Sequence, residues 1–312
     1  MKPDKGRLLI TGGNGMVGRN LLEHPAISDW DVLAPSRSEL DLTDYSAVCG
    51  WIARHRPDAI IHAAGLVGGI QANIAAPVAF LTVNAAIGQN IILAARDAGV
   101  TKLLNLASSC MYPRGQDTPL SEDMILTGPL EPTNEGYAIA KILATRLCQY
   151  IRREDPALQY KTLIPCNLYG RHDKFDPRNS HLVPAVIHKL HQAKMADAPT
   201  VEIWGDGMAR REFLYAGDLA DATLRALADL DRVPDLMNVG LGKDHSIREY
   251  YEAAAQIVGW SGSFVHDLSR PVGMMRKLSD VTNLSAWGWH AKTSLSDGLK
   301  QTYAFYLERV AA

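Results

Sequence analysis

The stretch Arg7-Leu8-Leu9-Ile10-Thr11-Gly12-Gly13-Asn14-Gly15-Met16-Val17-Gly18 decides the fold of this chain. An apolar run of strand length ends in glycines at 12, 15 and 18, and the amphipathic segment Met16–Glu23 follows at once. A strand that turns directly into a helix needs backbone positions that a Cβ would obstruct, and glycine supplies them. The missing side chains also let an anionic diphosphate approach the helix N-terminus, where unpaired N–H groups and the helix dipole favour negative charge. G-x-x-G-x-x-G at the first strand-to-helix turn therefore predicts a dinucleotide-binding site.

Outward from that turn, strand and helix alternate. Arg7–Thr11, Asp31–Pro35, Asp58–His62, Lys102–Ser108 and Tyr160–Pro165 read as buried strands. Met16–Glu23, Tyr45–His55, Ala75–Ala98 and Gly136–Glu154 read as the helices between them. This order predicts an α/β fold, a doubly wound parallel (Rossmann) sheet. Beyond Tyr169-Gly170 the pattern loosens into a polar, irregular stretch over 171–180, a helix at His181–Lys194, a strand at Thr200–Trp204 and a helix at Asp218–Leu230. Met237-Asn238-Val239-Gly240 reads as a last core strand, with a helix near Ile247–Val258. We expect a nucleotide-binding domain over 1–168, rejoined by 214–240, and a smaller interwoven substrate domain from 169–213 and 241–312.

The bulk properties narrow the function class. A chain of 312 residues with 47% hydrophobic content can bury one large core and an appended smaller one. A formal net charge of -2 offers no electrostatic grip on nucleic acid or an anionic membrane. No apolar stretch reads as a membrane span, and the N-terminus leads straight into a strand. Cys49, Cys110, Cys148 and Cys166 are scattered without a C-x-x-C pair, so reduced thiols in the cytoplasm are expected.

The end of the second strand reports on the cofactor. An acid there accepts from a ribose 2′-hydroxyl, whereas an arginine favours a 2′-phosphate. The chain reads Ala34-Pro35-Ser36-Arg37-Ser38, with Glu39 past the turn, so Arg37 predicts NADP(H). Further on, Tyr137 and Lys141 stand four apart and share one helix face. A phenol titrates near about 10, and an ammonium beside it stabilises the phenolate and lowers that value. With Ser108 to orient a substrate oxygen, the pair suits carbonyl–alcohol interconversion by hydride transfer.

The glycine triplet, Ser108-Ser109-Cys110-Met111-Tyr112-Pro113 and Tyr137-Ala138-Ile139-Ala140-Lys141 together resemble the extended short-chain dehydrogenase/reductases, over nearly the whole length. Val67-Gly68-Gly69-Ile70, Leu130-Glu131-Pro132-Thr133-Asn134-Glu135-Gly136-Tyr137, Asn167-Leu168-Tyr169-Gly170, Asn179-Ser180-His181 and Arg211-Glu212-Phe213-Leu214 narrow the resemblance. It is to the GDP-L-fucose synthase family, which inverts C3 and C5 of GDP-4-keto-6-deoxy-D-mannose and reduces C4 with NADPH. The resemblance implies that Ser108, Tyr137 and Lys141 serve the reduction, and that Cys110 and His181 are the acid–base pair of the epimerisation. It also implies a cofactor site of Gly12, Gly15, Met16, Val17, Gly18, Arg37, Ala63, Ala64, Lys141, Pro165, Asn167, Leu168 and His181. Substrate contacts would come from Lys189, Trp204 and Arg211. Residue chemistry agrees, because a C4 ketone acidifies the neighbouring C–H groups and a thiol and an imidazole both titrate near neutrality. We expect Lys141 and the polar donors around it to lower the proton affinity of Cys110.

Two positions depart from the family pattern. Lys189 stands where the family commonly has arginine, and Arg270-Pro271-Val272-Gly273 replaces Lys-Pro-Asp-Gly, so Val272 lacks the acid. These keep open a sister reaction on another GDP-4-keto sugar, a dideoxyhexose or a deoxyheptose. A non-catalytic NADP sensor on the same fold is a third reading. Arg276-Lys277-Leu278-Ser279-Asp280 resembles a later motif of the family and reads as shaping the same loop. His181, His188 and His191 have no acidic or thiol companion, so no metal site is expected. His62, at a strand end, reads as structural or cofactor-adjacent. Small residues such as Ala85, Ala86, Ala94, Ala140 and Ala144 suit close helix packing, and the resemblance implies a homodimer through those helices.

Overall fold

The apolar runs of the N-terminal half become neighbours in one sheet. β1 (Arg7–Thr11), α1 (Met16–Glu23), β2 (Asp31–Leu33), α2 (Tyr45–His55), β3 (Ala59–His62), α3 (Ile70–Ala75), α4 (Pro77–Asp97), β4 (Lys102–Leu106), α5 (Glu135–Glu154) and β5 (Gln159–Pro165) follow in chain order. Then come β6 (Asn167–Tyr169), α6 (Leu182–Met195), β7 (Thr200–Trp204), β8 (Arg210–Arg211), β9 (Phe213–Tyr215), α7 (Ala216–Ala228) and β10 (Leu236–Val239). The last are β11 (His245–Ser246), α8 (Ile247–Val258), β12 (Ser263–Asp267), β13 (Arg276–Lys277), α9 (Thr282–Trp287) and α10 (Leu295–Val310). This computed structural model describes residues 5–176, 180–269 and 274–311.

The main sheet has six strands, ordered β10-β5-β4-β3-β1-β2, all parallel. Its strands are apolar on both faces because helices cover both. Leu8 and Ile10 of β1 join a core with α7, while Leu9 joins one with α2, α4 and α5. In β3, Ala59 and Ile61 face the first core and Ile60 the second, as a period of two requires. The chain runs from β1 to β2 on one side and resumes at β3 on the other. The crevice beyond the carboxyl ends of β1 and β3 is thus where a ligand fits.

Three expectations need adjustment. The second and fourth strands are shorter than read, ending at Leu33 and Leu106, because the chain leaves the sheet to deliver Ser36–Arg37 and Ser108–Cys110 to the crevice. The helix read over 75–98 is α4, which starts two residues later because Pro77 opens it where its missing N–H costs nothing, and the short α3, ending at Ala75, precedes it unforeseen. By length and composition α4 is apolar enough to cross a membrane, contrary to our reading of the apolar stretches. Its inner face packs in the core through Phe80, Ile91 and Ile92. Its buried amides are satisfied within the protein, Asn84 donating to the Leu66 carbonyl (3.1 Å) and Asn90 to that of Leu42 (2.9 Å).

β10 returns to the sheet beside β5, pairing Met237 with Leu163 and Asn238 with Ile164. A third core lies among α6, α8 and α10, from Val183, Ile187, Leu190, Tyr250, Ala254 and Tyr306. A Ser246/Glu249 capping box starts α8 and Gly259, at φ +75°, ends it. A three-stranded ribbon, β11-β8-β13, carries Arg210, Arg211, Arg276 and Lys277, of which Lys277 reaches the crevice.

Candidate active site

The βα turn after β1 forms the floor of a cleft of about 1170 Å³. Gly12 sits at φ +75°, and a Cβ there would stand 2.8 Å from the Ala64 backbone. A Cβ on Gly18 would collide with the Gly12 carbonyl oxygen. Gly15 caps α1 without a side chain, and the first turn of α1 holds no acid, so the helix N-terminus faces the cleft unscreened. A diphosphate fits this cradle. All the residues expected to hold the cofactor line this one cleft, from Gly12, Gly15, Met16, Val17 and Gly18 through Arg37, Ala63 and Ala64 to Lys141, Pro165, Asn167, Leu168 and His181.

At the far end, Glu39 folds back and accepts the Ser36 backbone N–H at 2.7 Å, while the Ser36 and Ser38 hydroxyls bond each other at 2.9 Å. Hydrogen bonding from the Ser36 side chain and then from its backbone N–H holds the Glu39 carboxyl below the usual carboxylate range. The nearest acid is thereby spent on the turn, and the exposed Arg37 lies at the cleft where a 2′-phosphate would reach it. Beneath the cradle His62 is buried, its Nδ1 sharing a 2.8 Å hydrogen bond with the Thr11 hydroxyl. Burial and then the Lys141 charge push His62 down to about 3, so the imidazole is neutral and structural.

Where β4 ends, Ser108 accepts the Cys110 backbone N–H at 3.4 Å and starts the short turn Ser109–Met111. α5 brings Tyr137 and Lys141 alongside. The Lys141 ammonium donates to the Leu106 carbonyl at 2.9 Å and stands 5.8 Å from the Tyr137 ring centroid. Burial pushes Lys141 down to about 8, against the pull of Cys110. The phenol of Tyr137 is pushed up, first by burial and then by Cys110, rather than lowered as expected. The reason is desolvation of the buried phenol, while the Lys141 ammonium is hydrogen bonded to the Leu106 carbonyl.

Cys110 departs from expectation in the same way. Burial pushes the thiol above its ordinary value, and the cation that opposes burial most is Lys277, with Ser108 next and Lys141 weaker. His181, at the N-cap of α6, is pushed below the ordinary imidazole range by burial, then by Lys174 and Lys277. Ser108, Cys110, Tyr137, Lys141 and His181 all line the cleft.

Lys189, Trp204 and Arg211 do not line it; they lie around β7 and β8. Lys189 donates to the Glu202 carbonyl and Trp204 Nε1 to the Glu202 carboxylate (3.0 Å), with Trp204 46% exposed. Arg211 donates to the Arg210 carbonyl at 2.8 Å. His188 and His191 are hydrogen bonded to the hydroxyls of Tyr306 and Tyr303, both at 3.0 Å. Asn179 and the Arg270–Gly273 departure lie outside the described residues.

Sequence reasoning missed two cleft residues. Lys277, read only as part of a loop motif, faces Cys110 from β13. Its signal was present in the paired basic dipeptides Arg210-Arg211 and Arg276-Lys277, which strand alternation sends to opposite faces. Asp173 is the other, a cleft-lining carboxyl that burial raises to about 7 and whose Oδ2 has no partner. No local pattern marks it.

The NAD dependent epimerase/dehydratase family matches residues 8–240 of the chain. A GDP-L-colitose synthase of Yersinia pseudotuberculosis is 53% identical over 301 residues, covering 96% of this chain and 98% of that one. A GDP-L-fucose synthase of Azorhizobium caulinodans is 52% identical, covering 96% of each chain. Among solved structures, a GDP-6-OMe-4-keto-L-xylo-heptose reductase from C. jejuni aligns with a TM-score of 0.92 at 28% identity, over 98% of each chain. With likeness of this extent joined to a diphosphate cradle at the β1–α1 turn, the chain belongs to the NAD-dependent epimerase/dehydratase family of extended short-chain dehydrogenase/reductases.

Proposed function

We propose that this enzyme, which uses NADP(H), inverts C3 and C5 of GDP-4-keto-6-deoxy-D-mannose and then reduces C4 to give GDP-L-fucose. One observation carries the reading. The acid–base pair Cys110 and His181 lines the same cleft as the reductive set Ser108, Tyr137 and Lys141.

The C4 ketone lets the electron pair of a neighbouring C–H bond move onto the carbonyl oxygen as an enolate. Cys110 and His181 are then the groups that take the proton and return one to the opposite face. When bound, the reduced nicotinamide supplies hydride chemistry at C4. Tyr137, held protonated by burial, donates its proton to the developing C4 oxyanion. Ser108 orients that oxygen, and Lys141 stays cationic at neutral pH beside the phenol. Arg211 and Lys189, with Trp204, take the GDP portion from the β7–β8 side.

A second reading is a sister reaction on a GDP-4-keto-3,6-dideoxyhexose, in which C5 alone is inverted. The colitose synthase likeness favours it, standing level with that to the fucose synthase at 53% against 52% identity. Purified protein given NADPH and each sugar in turn separates the two, with absorbance loss followed and the products identified. NADPH consumption with GDP-L-fucose formed supports the first reading, and turnover of the dideoxy sugar alone replaces it with the second.

We also propose a homodimer through α4 and α5, whose outer faces expose Val78, Ile139 and Leu143. Sedimentation at a single-chain mass would refute it.

A further inference from the structure

We propose that Lys277 is a positioning residue that stabilises the Cys110 thiolate, and so serves the carbon–hydrogen chemistry of the cleft rather than the reduction of the carbonyl. The inference rests on the proposed epimerase reading for its consequence, but not for its geometry.

Lys277 is held where it stands from two sides. On β13 it pairs in register with Arg211 of β8, and its neighbour Arg276 pairs with Arg210. Alternation sends Arg276 and Arg210 to one face, where Asp244 clamps both guanidinium groups at 2.5 and 2.7 Å. Lys277 and Arg211 are sent to the other face. Just beyond β13, the buried Glu212 carboxylate accepts the Ser279 backbone N–H at 2.8 Å, and the Leu278 carbonyl accepts from Leu120 N–H at 2.8 Å. These bonds use backbone and neighbouring side chains, so the strand is placed without help from the Lys277 side chain.

The charges around the pair are few and named. Cys110 is faced by Lys277 from β13, by Lys141 and Tyr137 from α5, and by the Ser108 hydroxyl at the end of β4. Burial holds Lys277 below the ordinary lysine range, opposed by Cys110, Cys166 and Glu212 and aided by Arg211, and its charge also bears on His181. Lys141 is committed to the Leu106 carbonyl, whereas Lys277 lines the cleft with Cys110, and the chain just past β13 bridges through Ser279 to Leu120 in the buried cluster that holds the thiol. When Cys110 takes a C–H proton, the thiolate becomes a neutral thiol and the electron pair passes to the carbonyl oxygen. The ammonium on β13 favours the thiolate that starts this step. The same charge disfavours a proton on His181, making a protonated His181 a readier donor.

The test compares wild type with Lys277→Met, Lys277→Gln and Lys277→Arg in two measurements. The first is iodoacetamide alkylation of Cys110, located by peptide mass, across about pH 6 to 10. The second is deuterium uptake from D2O into GDP-4-keto-6-deoxy-D-mannose without NADPH. K277M and K277Q should alkylate Cys110 about tenfold more slowly near neutrality, their rate profile displaced upward by about one pH unit, with K277R largely restoring it. Deuterium uptake should fall in parallel while NADPH affinity is unchanged. An unmoved Cys110 profile in a folded K277M or K277Q overturns the proposal. If wild type takes up no deuterium yet the alkylation profile still moves, the thiol–ammonium pairing stands and the epimerase reading falls.

Discussion

The two ends of the cleft are built in different ways. The nucleotide end comes from chain neighbours: Gly12 to Gly18 on one turn, and Ser36 to Glu39 on another. The end where we propose the sugar binds is assembled from remote segments, with Ser108 and Cys110 after β4, Tyr137 and Lys141 on α5, His181 before α6 and Lys277 on β13. The first depends on local backbone shape and the second on how the C-terminal half folds back. Substitutions at the sugar end should therefore change rates, whereas those at the nucleotide end should change affinity or stability.

The sharpest test of the contrast is Tyr137→Phe. If Tyr137 is the proton donor, as we propose, its loss should lower C4 reduction by roughly 10²- to 10⁴-fold while deuterium uptake beside the carbonyl persists. Stopped-flow NADPH oxidation and mass spectrometry of the recovered sugar read the two halves separately. Cys110→Ser is its mirror, expected to lower deuterium uptake by about 10²-fold. It should leave the reduction of an already inverted ketone near wild type; equal loss in both assays would erase the division between the two sets.

At the nucleotide end His62 supplies a pH test of folding. Its folded-state value is pushed down to about 3 by burial, so the unfolded chain takes up the proton first as pH falls. The contribution of the neutral imidazole is complete above the ordinary histidine value and is lost progressively between about pH 6.5 and 3. By pH 5 the loss should be about 2 kcal/mol, visible as a lower urea midpoint than at pH 7. His62→Gln should flatten that difference. The smallest effect is expected at Arg37→Ala. It should weaken NADPH about tenfold and leave NADH nearly untouched, measured by fluorescence titration. Equal weakening of both cofactors would remove Arg37 from the 2′-phosphate site.

Legibility in the sequence follows the same division. Met16–Glu23, Tyr45–His55 and Ile247–Val258 match α1, α2 and α8 residue for residue, since periodicity and caps are local. The two-residue strands β8, β11 and β13 were not foreseen, because pairings so short carry no pattern of their own. The proton affinities of Cys110 and Tyr137 were expected low and stand high, because motif spacing says which groups meet and says nothing of how completely they are desolvated.

By itself the sequence determined the parallel sheet, the cradle at the first βα turn, and the residue types to which we assign the proton transfers. Each is written in spacings of a few residues, where covalent geometry alone limits the outcome. Only the tertiary structure decided that Lys277 joins Cys110 in the cleft, and that Glu39 is spent on the Ser36 turn beside Arg37. Electrostatic effect depends on distance and burial in space, and residues 110 and 277 acquire both only when the ribbon of β8 and β13 closes on the end of the sheet.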